Sequence, residues 1–347
     1  MATIGDVAQV AGVSRSTASN VLSGNKRTSP EIQERVRRAV DTLGYTPNAG
    51  ARALATSQTR VIGLLARFLD DEFAPAMLQY ILGVSNTARE LGYDILLVSE
   101  ADGARALQRI TSSLMVDGVV LLNVAERDDR LDVLRGANRP GVLVGLPGDP
   151  SGLDVFDLDF AETGRLMVQH LARLGHRELL LVSQPDHVVE RGGAYVWRLR
   201  DAAVEEARLR GVTLRTVAAA PSQPEVGADL RAALDAHPDV TGLLVSNEAA
   251  AAALPFVLRD RGLESPRDVS VVGRFSAEFA RTFSLPYTSI ESAPDRLGQL
   301  AVRQLVRRIE SPGGREEAHG VRFISPELVD RGSTGAPRPA DGGTIAG

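Results

Sequence analysis

Four polar side chains that could read nucleic acid lie close together near the amino terminus: Arg15, Ser16, Ser19 and Asn20. An arginine can donate two hydrogen bonds to guanine O6 and N7, and an asparagine can pair with adenine N6 and N7. Hydroxyl groups and the N–H groups at a helix start bind phosphate oxygens. These residues could therefore recognise base edges and phosphates. On polarity alone, a solvated face of a small helical module is the simpler interpretation.

Three short helices are predicted around these residues. Thr3, Ser14 and Ser29 are good amino-terminal caps, and Gly12 and Gly44 are natural helix ends. Asp6 lies three residues after Thr3, which is typical of a capping box. The predicted inward positions of the three helices are Val7, Ala8 and Val10, then Thr17, Val21 and Leu22, then Ile32, Val36, Ala39, Val40 and Leu43. Two helices joined by a tight turn and braced by a third form a helix-turn-helix, whose second helix can enter the major groove.

Charge is distributed unevenly along the 347 residues. Residues 1–60 contain eight basic and four acidic residues, whereas the remainder contains 31 basic and 40 acidic residues. The net charges are therefore +4 and −9, which favours contact between the amino-terminal segment alone and a polyanion. The imbalance is modest, and basic stretches are often only solvated surfaces.

An alanine-rich segment follows the third helix, from Tyr45 through Asn48 to Ala55. Asn48 can cap a helix of about two turns. Isolated helices shorter than about 12–15 residues are marginal in water, and Gly50 weakens this one further. The segment should therefore be helical only when something packs against it; otherwise it is a flexible linker.

The runs TIGDVAQVAGVSRSTASNVLSGN, SPEIQERVRRAVDTLGYTPNAGARALA and TRVIGLL resemble, in order and spacing, the LacI/GalR family of transcriptional regulators. The resemblance implies a homodimer whose two recognition helices enter successive major grooves of an inverted-repeat operator. It also implies hinge helices that fold in the minor groove. Leu54 occupies the position of the family's wedging leucine, and Ala51 lies one turn earlier. The DNA-contacting positions implied are Thr3, Arg15, Ser16, Thr17, Ser19, Asn20, Asn25, Tyr45, Asn48, Ala51 and Leu54.

One departure from the family lies on the recognition helix. Members commonly have arginine where this chain has Asn20. We therefore expect the base preference at that position to move from guanine toward adenine.

The remaining chain alternates between apolar runs and amphipathic stretches. Strands are predicted at 61–65, 95–99, 119–122, 142–145, 179–182, 242–246, 269–272 and 288–290, with helices at 77–91, 164–174, 249–261 and 297–309. Continuous apolar strands alternating with helices indicate parallel sheets covered on both faces. About 270 residues are too many for one such sheet, so two doubly wound lobes are expected. Ligands bind such sheets at the carboxyl ends of the strands, and a cleft between two lobes would gather several of these ends.

The resemblance extends to this region and implies a core like the periplasmic sugar-binding proteins, with a small effector held between the lobes. The positions it implies for effector contact are Phe73, Gly145, Arg191, Asn247 and Phe275. Gly145 and Phe275 stand where many sugar-binding members have aspartates. We therefore expect an effector more apolar than an ordinary hexose, although Phe275 could equally be a core residue.

Several classes of function are disfavoured by the sequence. There is no cysteine, and the five histidines lack metal-ligand spacing. No nucleophile elbow or phosphate-binding glycine loop follows any predicted strand. Neither cofactor nor metal is expected, and the chain is not expected to be an enzyme. Two alternatives stay open: a solute-binding protein without regulatory activity, and a sugar-processing enzyme using the cleft.

The predicted organisation has four parts. Residues 1–46 form the helix-turn-helix domain, 47–59 the hinge, 60–332 the two-lobed core that binds effector and dimerises, and 333–347 a disordered Pro/Gly-rich tail. The tail lacks leucine heptads, so a dimer is expected. There is no apolar run long enough for a membrane helix and no signal-like start, which favours a cytoplasmic location.

Overall fold

The computed structural model describes residues 2–22, 28–45, 58–67, 74–100, 102–113, 115–282, 285–310 and 318–338. The chain divides into two compact units, Met1–Arg60 and Val61–Gly347. Within the described part of the first unit there are three helices, α1 (Ile4–Ala11), α2 (Arg15–Leu22) and α3 (Pro30–Leu43).

Local capping explains the bounds of these helices. The Thr3 backbone N–H donates to Asp6 Oδ2 at 2.7 Å, and the Asp6 N–H donates to Thr3 Oγ1 at 3.3 Å. The Thr17 N–H donates to Ser14 Oγ at 3.0 Å, which caps α2. Gly12 ends α1 with a φ of 63°, a left-handed conformation that favours glycine. These caps confirm the predicted helix starts and ends.

A small apolar core joins the three helices. Val7, Ala11, Val36 and Ala39 are buried together. The prediction that Val10 belongs to the inward face of α1 is wrong, because its side chain is 55% exposed. Ala11 lies four residues after Val7 and takes that place, as helical periodicity requires.

The second unit contains two six-stranded sheets. The first sheet has the order β11-β5-β4-β3-β1-β2 and the second β12-β10-β9-β8-β6-β7. All pairings among the described strands are parallel except that of β12 with β10. The strands are β1 (Val61–Leu65), β2 (Asp94–Val98), β3 (Gly118–Leu121), β4 (Gly141–Val144), β5 (Asp154–Leu158), β6 (Glu178–Ser183), β7 (Thr213–Ala218), β8 (Gly242–Val245), β9 (Ser270–Phe275), β10 (Thr288–Glu291), β11 (Val321–Ile324) and β12 (Leu328–Val329).

Helices cover both faces of each sheet, so the predicted doubly wound, two-lobed architecture is confirmed. Buried apolar residues lie on either side of each sheet, as with Ile62 and Leu121 in the first lobe. The helices are α4 (Ala74–Glu90), α5 (Gly103–Ser112), α6 (Arg130–Gly136), α7 (Phe160–Arg173), α8 (Asp186–Glu190), α9 (Ala194–Arg210), α10 (Glu225–Ala236), α11 (Glu248–Asp260), α12 (Ala277–Thr282) and α13 (Pro294–Glu310).

The chain passes between the lobes three times. It leaves the first lobe after β5, returns to it through α13, and crosses again between β11 and β12. Helix α13 packs on the first lobe through Leu297, Ala301 and Leu305. Neither lobe is therefore a continuous segment of sequence, and lobe movements must act through these three connections.

A buried ion pair anchors α13 to the first sheet. Arg308 Nε donates to Asp154 Oδ2 at 2.8 Å, and Gln304 Nε2 donates to the same oxygen at 3.1 Å. Both charged side chains are at most 2% exposed. Burial alone would raise the pKa of Asp154, but the hydrogen bonds from Arg308 and Gln304 outweigh it and hold that pKa below its usual value. The carboxylate therefore stays charged and depends on its partners.

The prediction that a disordered tail begins at residue 333 is wrong for residues 333–338. Ser333 is fully buried, and its hydroxyl donates to the Val271 carbonyl at 2.6 Å. His176 joins the same segment to the second lobe, with Nδ1 2.8 Å from Thr241 Oγ1 and Nε2 3.0 Å from the Gly335 carbonyl. Burial lowers the pKa of His176, which keeps the ring neutral. Residues 339–347 lie outside the described part.

Candidate DNA-reading face and effector cavity

The polar face of α2 is open to solvent. Arg15, Ser16, Ser19 and Asn20 are exposed, whereas Ala18 is fully buried and Val21 and Leu22 pack on the apolar core of the first unit. The predicted separation of an outward polar face from an inward face is therefore confirmed. This face carries a fork of guanidinium donors, an amide and two hydroxyl groups, the groups that base edges and phosphates accept.

Arg35 holds the turn before α2, a role that sequence reasoning missed. Its Nε donates to the Ala11 carbonyl at 2.9 Å, and its Nη2 donates to the Gly12 carbonyl at 2.8 Å. The guanidinium thus binds orphan carbonyls at the end of α1. In the sequence this arginine counts only as one basic charge, because only the fold brings α3 beside that turn.

The other predicted DNA contacts have varied surroundings. Thr3 is exposed but its hydroxyl donates to Asp6, and Thr17 is half-buried with its hydroxyl 2.8 Å from that of Ser14. Tyr45 packs on the apolar core of the first unit. Four further predicted positions, Asn25, Asn48, Ala51 and Leu54, lie outside the described residues.

A cavity, partly open to solvent, lies between the two lobes of the second unit. Its walls come from the carboxyl ends of strands in both sheets, which confirms the expected location of a cleft. The first lobe contributes Met77, Tyr80, Leu122, Asn123, Val124, Val144, Gly145, Leu146 and Asp157. The second contributes Phe160, Gln184, Val188, Arg191, Ala194, Tyr195, Arg198, Pro221, Asn247, Glu248, Ala249 and Arg274.

A buried ion pair faces the cavity from the second lobe. Arg274 Nη2 donates to Glu248 Oε1 at 2.8 Å, and Gln184 Nε2 donates to Glu248 Oε2 at 3.2 Å. Burial alone would lower the pKa of Arg274, but the charge of Glu248 outweighs it and the pKa is raised. The guanidinium of Arg274 therefore remains charged next to the cavity.

The first lobe contributes a carboxyl group and a phenol. Asp157 accepts hydrogen bonds from the N–H groups of Leu146 and Leu158, each at 2.9 Å. Burial is the dominant influence and raises the pKa of Asp157 to about 6. Burial likewise raises the pKa of Tyr80 to about 12, so its hydroxyl keeps a proton that it can donate.

The raised pKa of Asp157 predicts a pH-dependent stability. The folded chain holds this proton between about pH 4 and 6, where the unfolded chain has lost it, so stability falls as pH rises through that window. Two pKa units correspond to about 2–3 kcal/mol. The measured quantity is the unfolding free energy of the wild type minus that of Asp157→Asn. We expect this difference to be about 2–3 kcal/mol lower at pH 7 than at about pH 4.5. Denaturant unfolding at both pH values measures the difference, and a pH-independent difference would contradict the assignment.

Contacts between the lobes lie at the rim of the cavity. Arg198 of α9 donates to the Leu146 carbonyl at 2.8 Å and to Glu126 Oε2 at 3.0 Å. On α4, Gln79 Nε2 donates to Glu278 Oε2 of α12 at 2.9 Å. Because these contacts are polar and partly exposed, they can break and re-form when the lobes move.

The predicted effector residues are only partly brought together. Gly145 and Arg191 line the cavity, and Gly145 has a φ of 118°, which strains any residue with a side chain. Asn247 also lines it, but its amide is occupied: Nδ2 donates to the Ala219 carbonyl at 3.0 Å and Oδ1 accepts from the Ala250 N–H at 3.0 Å. Asn247 is thus foremost the cap of α11. Phe73 lies outside the described residues.

The prediction that Phe275 contacts the effector is wrong for this cavity. Its ring is 1% exposed and packs in the core of the second lobe, 4.9 Å from the ring of Phe279 and 5.5 Å from that of Tyr287, measured between centroids. Gly273, two residues earlier on the same face of β9, leaves room for that ring. The neighbouring residue on the opposite face, Arg274, is the one that lines the cavity.

Two families match the chain. The family described as "Bacterial regulatory proteins, lacI family" matches residues 3–48, and the "Periplasmic binding protein-like domain" matches residues 168–334. Among solved structures, a complex of the transcriptional regulator CelR with cellobiose is 27% identical, with a TM-score of 0.68 over 96% of this chain and all of that one. The lac repressor dimer bound to operator and an anti-inducer is 24% identical, with a TM-score of 0.79 over 96% of this chain and 99% of that one, and shares the fold.

Curated relatives agree over most of the length. The HTH-type transcriptional regulator CelR of Thermobifida fusca is 32% identical over 309 residues, which cover 87% of this chain and 90% of that protein. The HTH-type transcriptional repressor PurR of Vibrio atlanticus is 28% identical over 341 residues, covering 95% and 98%. These relatives are named as regulators and repressors of transcription, not as enzymes. No helix in the described ranges is long and apolar enough to cross a membrane. This chain belongs to the LacI family of bacterial transcriptional regulators.

Proposed function

We propose that this protein represses transcription from an inverted-repeat operator, and that a small molecule held between its lobes controls its affinity for that operator. The observation that carries the proposal is the cavity at the meeting point of the strand ends of both lobes, in a chain that also carries an exposed polar recognition helix. CelR has been solved with cellobiose, so a relative of this chain binds a small molecule.

The exposed face of α2 supplies the groups for reading DNA. Arg15, Ser16 and Asn20 contact base edges in the major groove, with Arg15 suited to guanine and Asn20 to adenine. The remaining contacts go to the DNA backbone through Thr3, Thr17, Ser19, Asn25, Tyr45 and Asn48. Since Thr3 and Thr17 already use their hydroxyls within the helix caps, they position the helices as well as meeting phosphates.

The proposed domain layout places a hinge at 47–59, between the helix-turn-helix at 1–46 and the core that begins at residue 60. In a dimer, paired hinges enter the minor groove, and Leu54 wedges between base pairs with Ala51 beside it. Inserting an apolar side chain unstacks one step and bends the duplex, which widens the contact. Because such a regulator acts on DNA, we propose that it works in the cytoplasm as a homodimer.

Leu54→Ala tests the wedge. Losing the wedge removes bending-dependent contacts but leaves the basic surface, so we expect operator affinity to fall about tenfold or more while nonspecific affinity changes little. Titrations of operator and of a scrambled duplex at the same salt concentration measure the two affinities. An equal loss for both duplexes would show that Leu54 has no wedging role.

Effector control is tested by operator binding with and without a metabolite extract of cells that carry the gene. Allosteric coupling of typical size would change operator affinity about 5–150-fold. Reciprocity requires operator DNA to change the affinity for the effector by the same factor. Operator affinity that is indifferent to every extract would refute effector control, and a failure to bind any DNA would revive a plain solute-binding role.

A further inference from the structure

Polar groups from both lobes meet at one end of the cavity. Tyr80 of the first lobe and the Arg274–Glu248 pair of the second line both the cavity and a smaller adjoining pocket. Asp157 lines the cavity as well. A ligand group placed at this end would therefore touch both lobes at once.

The guanidinium of Arg274 is only partly used by the protein. Its side chain is 9% exposed, and Nη2 donates to Glu248 and to the Ser246 carbonyl. Its Nε is buried and has no hydrogen-bond partner among the described residues. Arginine donors are arranged as a planar fork that suits two parallel hydrogen bonds to a carboxylate. Nε and Nη2 lie along the same edge of this fork: Nη2 is held by Glu248 and the Ser246 carbonyl, and Nε lacks an acceptor within the described part of the chain.

Each side-chain oxygen of Asp157, Glu248 and Asn247 already accepts one hydrogen bond from the protein. The oxygens of Asp157 accept two backbone N–H groups, those of Glu248 accept from Arg274 and Gln184, and Asn247 Oδ1 accepts from Ala250. A sugar needs acceptors for its hydroxyl hydrogens, whereas an anion needs only donors. The cavity wall therefore fits an anion better than a polyol.

The charge and shape of the walls agree with this. Three arginines, Arg191, Arg198 and Arg274, line the cavity together with the acids Asp157 and Glu248, and Arg198 is also paired with Glu126. The rings of Phe160 and Tyr195 lie 5.4 Å apart between centroids, with the Arg274 guanidinium carbon 5.7 Å from the Phe160 centroid. Most of the remaining lining is apolar, including Met77, Leu122, Val144, Val188 and Ala194.

We propose that the effector is a small organic acid with a compact apolar body, its carboxylate bound by Arg274 and Tyr80 and its body held near Phe160 and Tyr195. The inference rests on the proposed function, since it names the class of molecule that the same cavity binds. It departs from a neutral sugar because a buried donor, Arg274 Nε, is left without an acceptor among the described residues at this end of the cavity.

Fractionation of a metabolite extract tests the class. Anion exchange at neutral pH separates acids from neutral molecules, and reversed-phase chromatography at acid pH then retains acids with an apolar body. We expect the fraction retained in both steps to change operator affinity. Activity in the anion-exchange flow-through, or in an acidic fraction that the reversed phase does not retain, would overturn the inference and leave effector control standing. Activity in no fraction would overturn effector control itself.

Variants test the binding groups against the same doubly retained fraction. Replacing the pair together, as Arg274→Gln with Glu248→Gln, avoids leaving one charge buried alone; we expect at least about a tenfold loss of response. Tyr80→Phe removes one donor and keeps the ring, so we expect roughly a three- to tenfold loss, which keeps the inference testable if the pair variant fails to fold. Arg173→Gln, at the far end of α7, is the control and should respond as the wild type does. A full response from both cavity variants would contradict the assignment.

Discussion

Arg308→Met is expected to lower the free energy of unfolding of the second unit by about 3–5 kcal/mol, because it leaves the carboxylate of Asp154 buried without its ionic partner. Methionine fills much of the arginine volume, so the loss of stability comes mainly from the unpaired charge of Asp154 and not from an empty cavity. Denaturant unfolding of the full chain measures the loss.

Two controls separate the buried pair from a general effect on α13. Arg303→Met removes an exposed arginine of the same helix, 3.6 Å from Glu90, and should change stability by less than about 0.5 kcal/mol. The double variant Arg308→Met with Asp154→Leu removes both charges and should recover most of the loss. If the single variant were as stable as the wild type, the pair would not anchor the helix.

Arg15→Ala is expected to weaken operator binding by about 1–3 kcal/mol, or roughly 5–150-fold, and to relax base preference at one position in each half-site. The residue lies on the exposed face of α2, where its fork can reach one base pair. Binding-site selection with the variant and with the wild type measures both effects. The matched control is Arg38→Ala, which removes an equal charge from a side chain of α3 that is 76% exposed.

The control should weaken all duplexes modestly and leave base preference unchanged. Asn20→Arg extends the comparison, since it should move preference from adenine to guanine at its own position. An unchanged selected motif in both Arg15→Ala and Asn20→Arg would show that α2 does not read base edges.

Local chemistry explains why the first unit is predictable. The caps at Thr3, Ser14 and Ser29 and the ends at Gly12 and Gly44 act within a few residues, so their bounds can be read directly from the sequence. The bracing of the turn by Arg35 cannot be read in this way, because it joins residues 23 and 24 positions apart.

Strands with buried charge are harder to predict. The strand β5 has the sequence DVFDL, whose two aspartates argue against burial, yet all five of its residues are buried. Asp154 is satisfied by Arg308 and Asp157 by backbone N–H groups, and neither partner is visible in the local pattern. The edge strand β7 escapes prediction for a different reason, since each of its residues is exposed or half-buried and none is buried.

The place of the cavity is predictable from the sequence, but not all of its residues are. The alternation of strands and helices indicates a cleft at the carboxyl ends of two sheets, and the fold contains it. Along β9, however, a shift of one residue exchanges the two faces of the strand, so Arg274 rather than Phe275 faces the cleft. The sequence predicts an effector other than a hexose from Gly145 and Phe275. That expectation remains a proposal, but it now rests on the hydrogen-bond donors around Arg274.

Selection of bound sequences from a random duplex library, with the full-length protein at near-physiological salt, tests the central claim most directly. We expect an enriched inverted repeat with an easily deformed central step, and a half-site that contains the bases assigned to Arg15 and Asn20. Repeating the selection with a metabolite extract covers the case in which the effector is required for binding. No enriched sequence in either selection would contradict the claim that this protein is an operator-binding regulator.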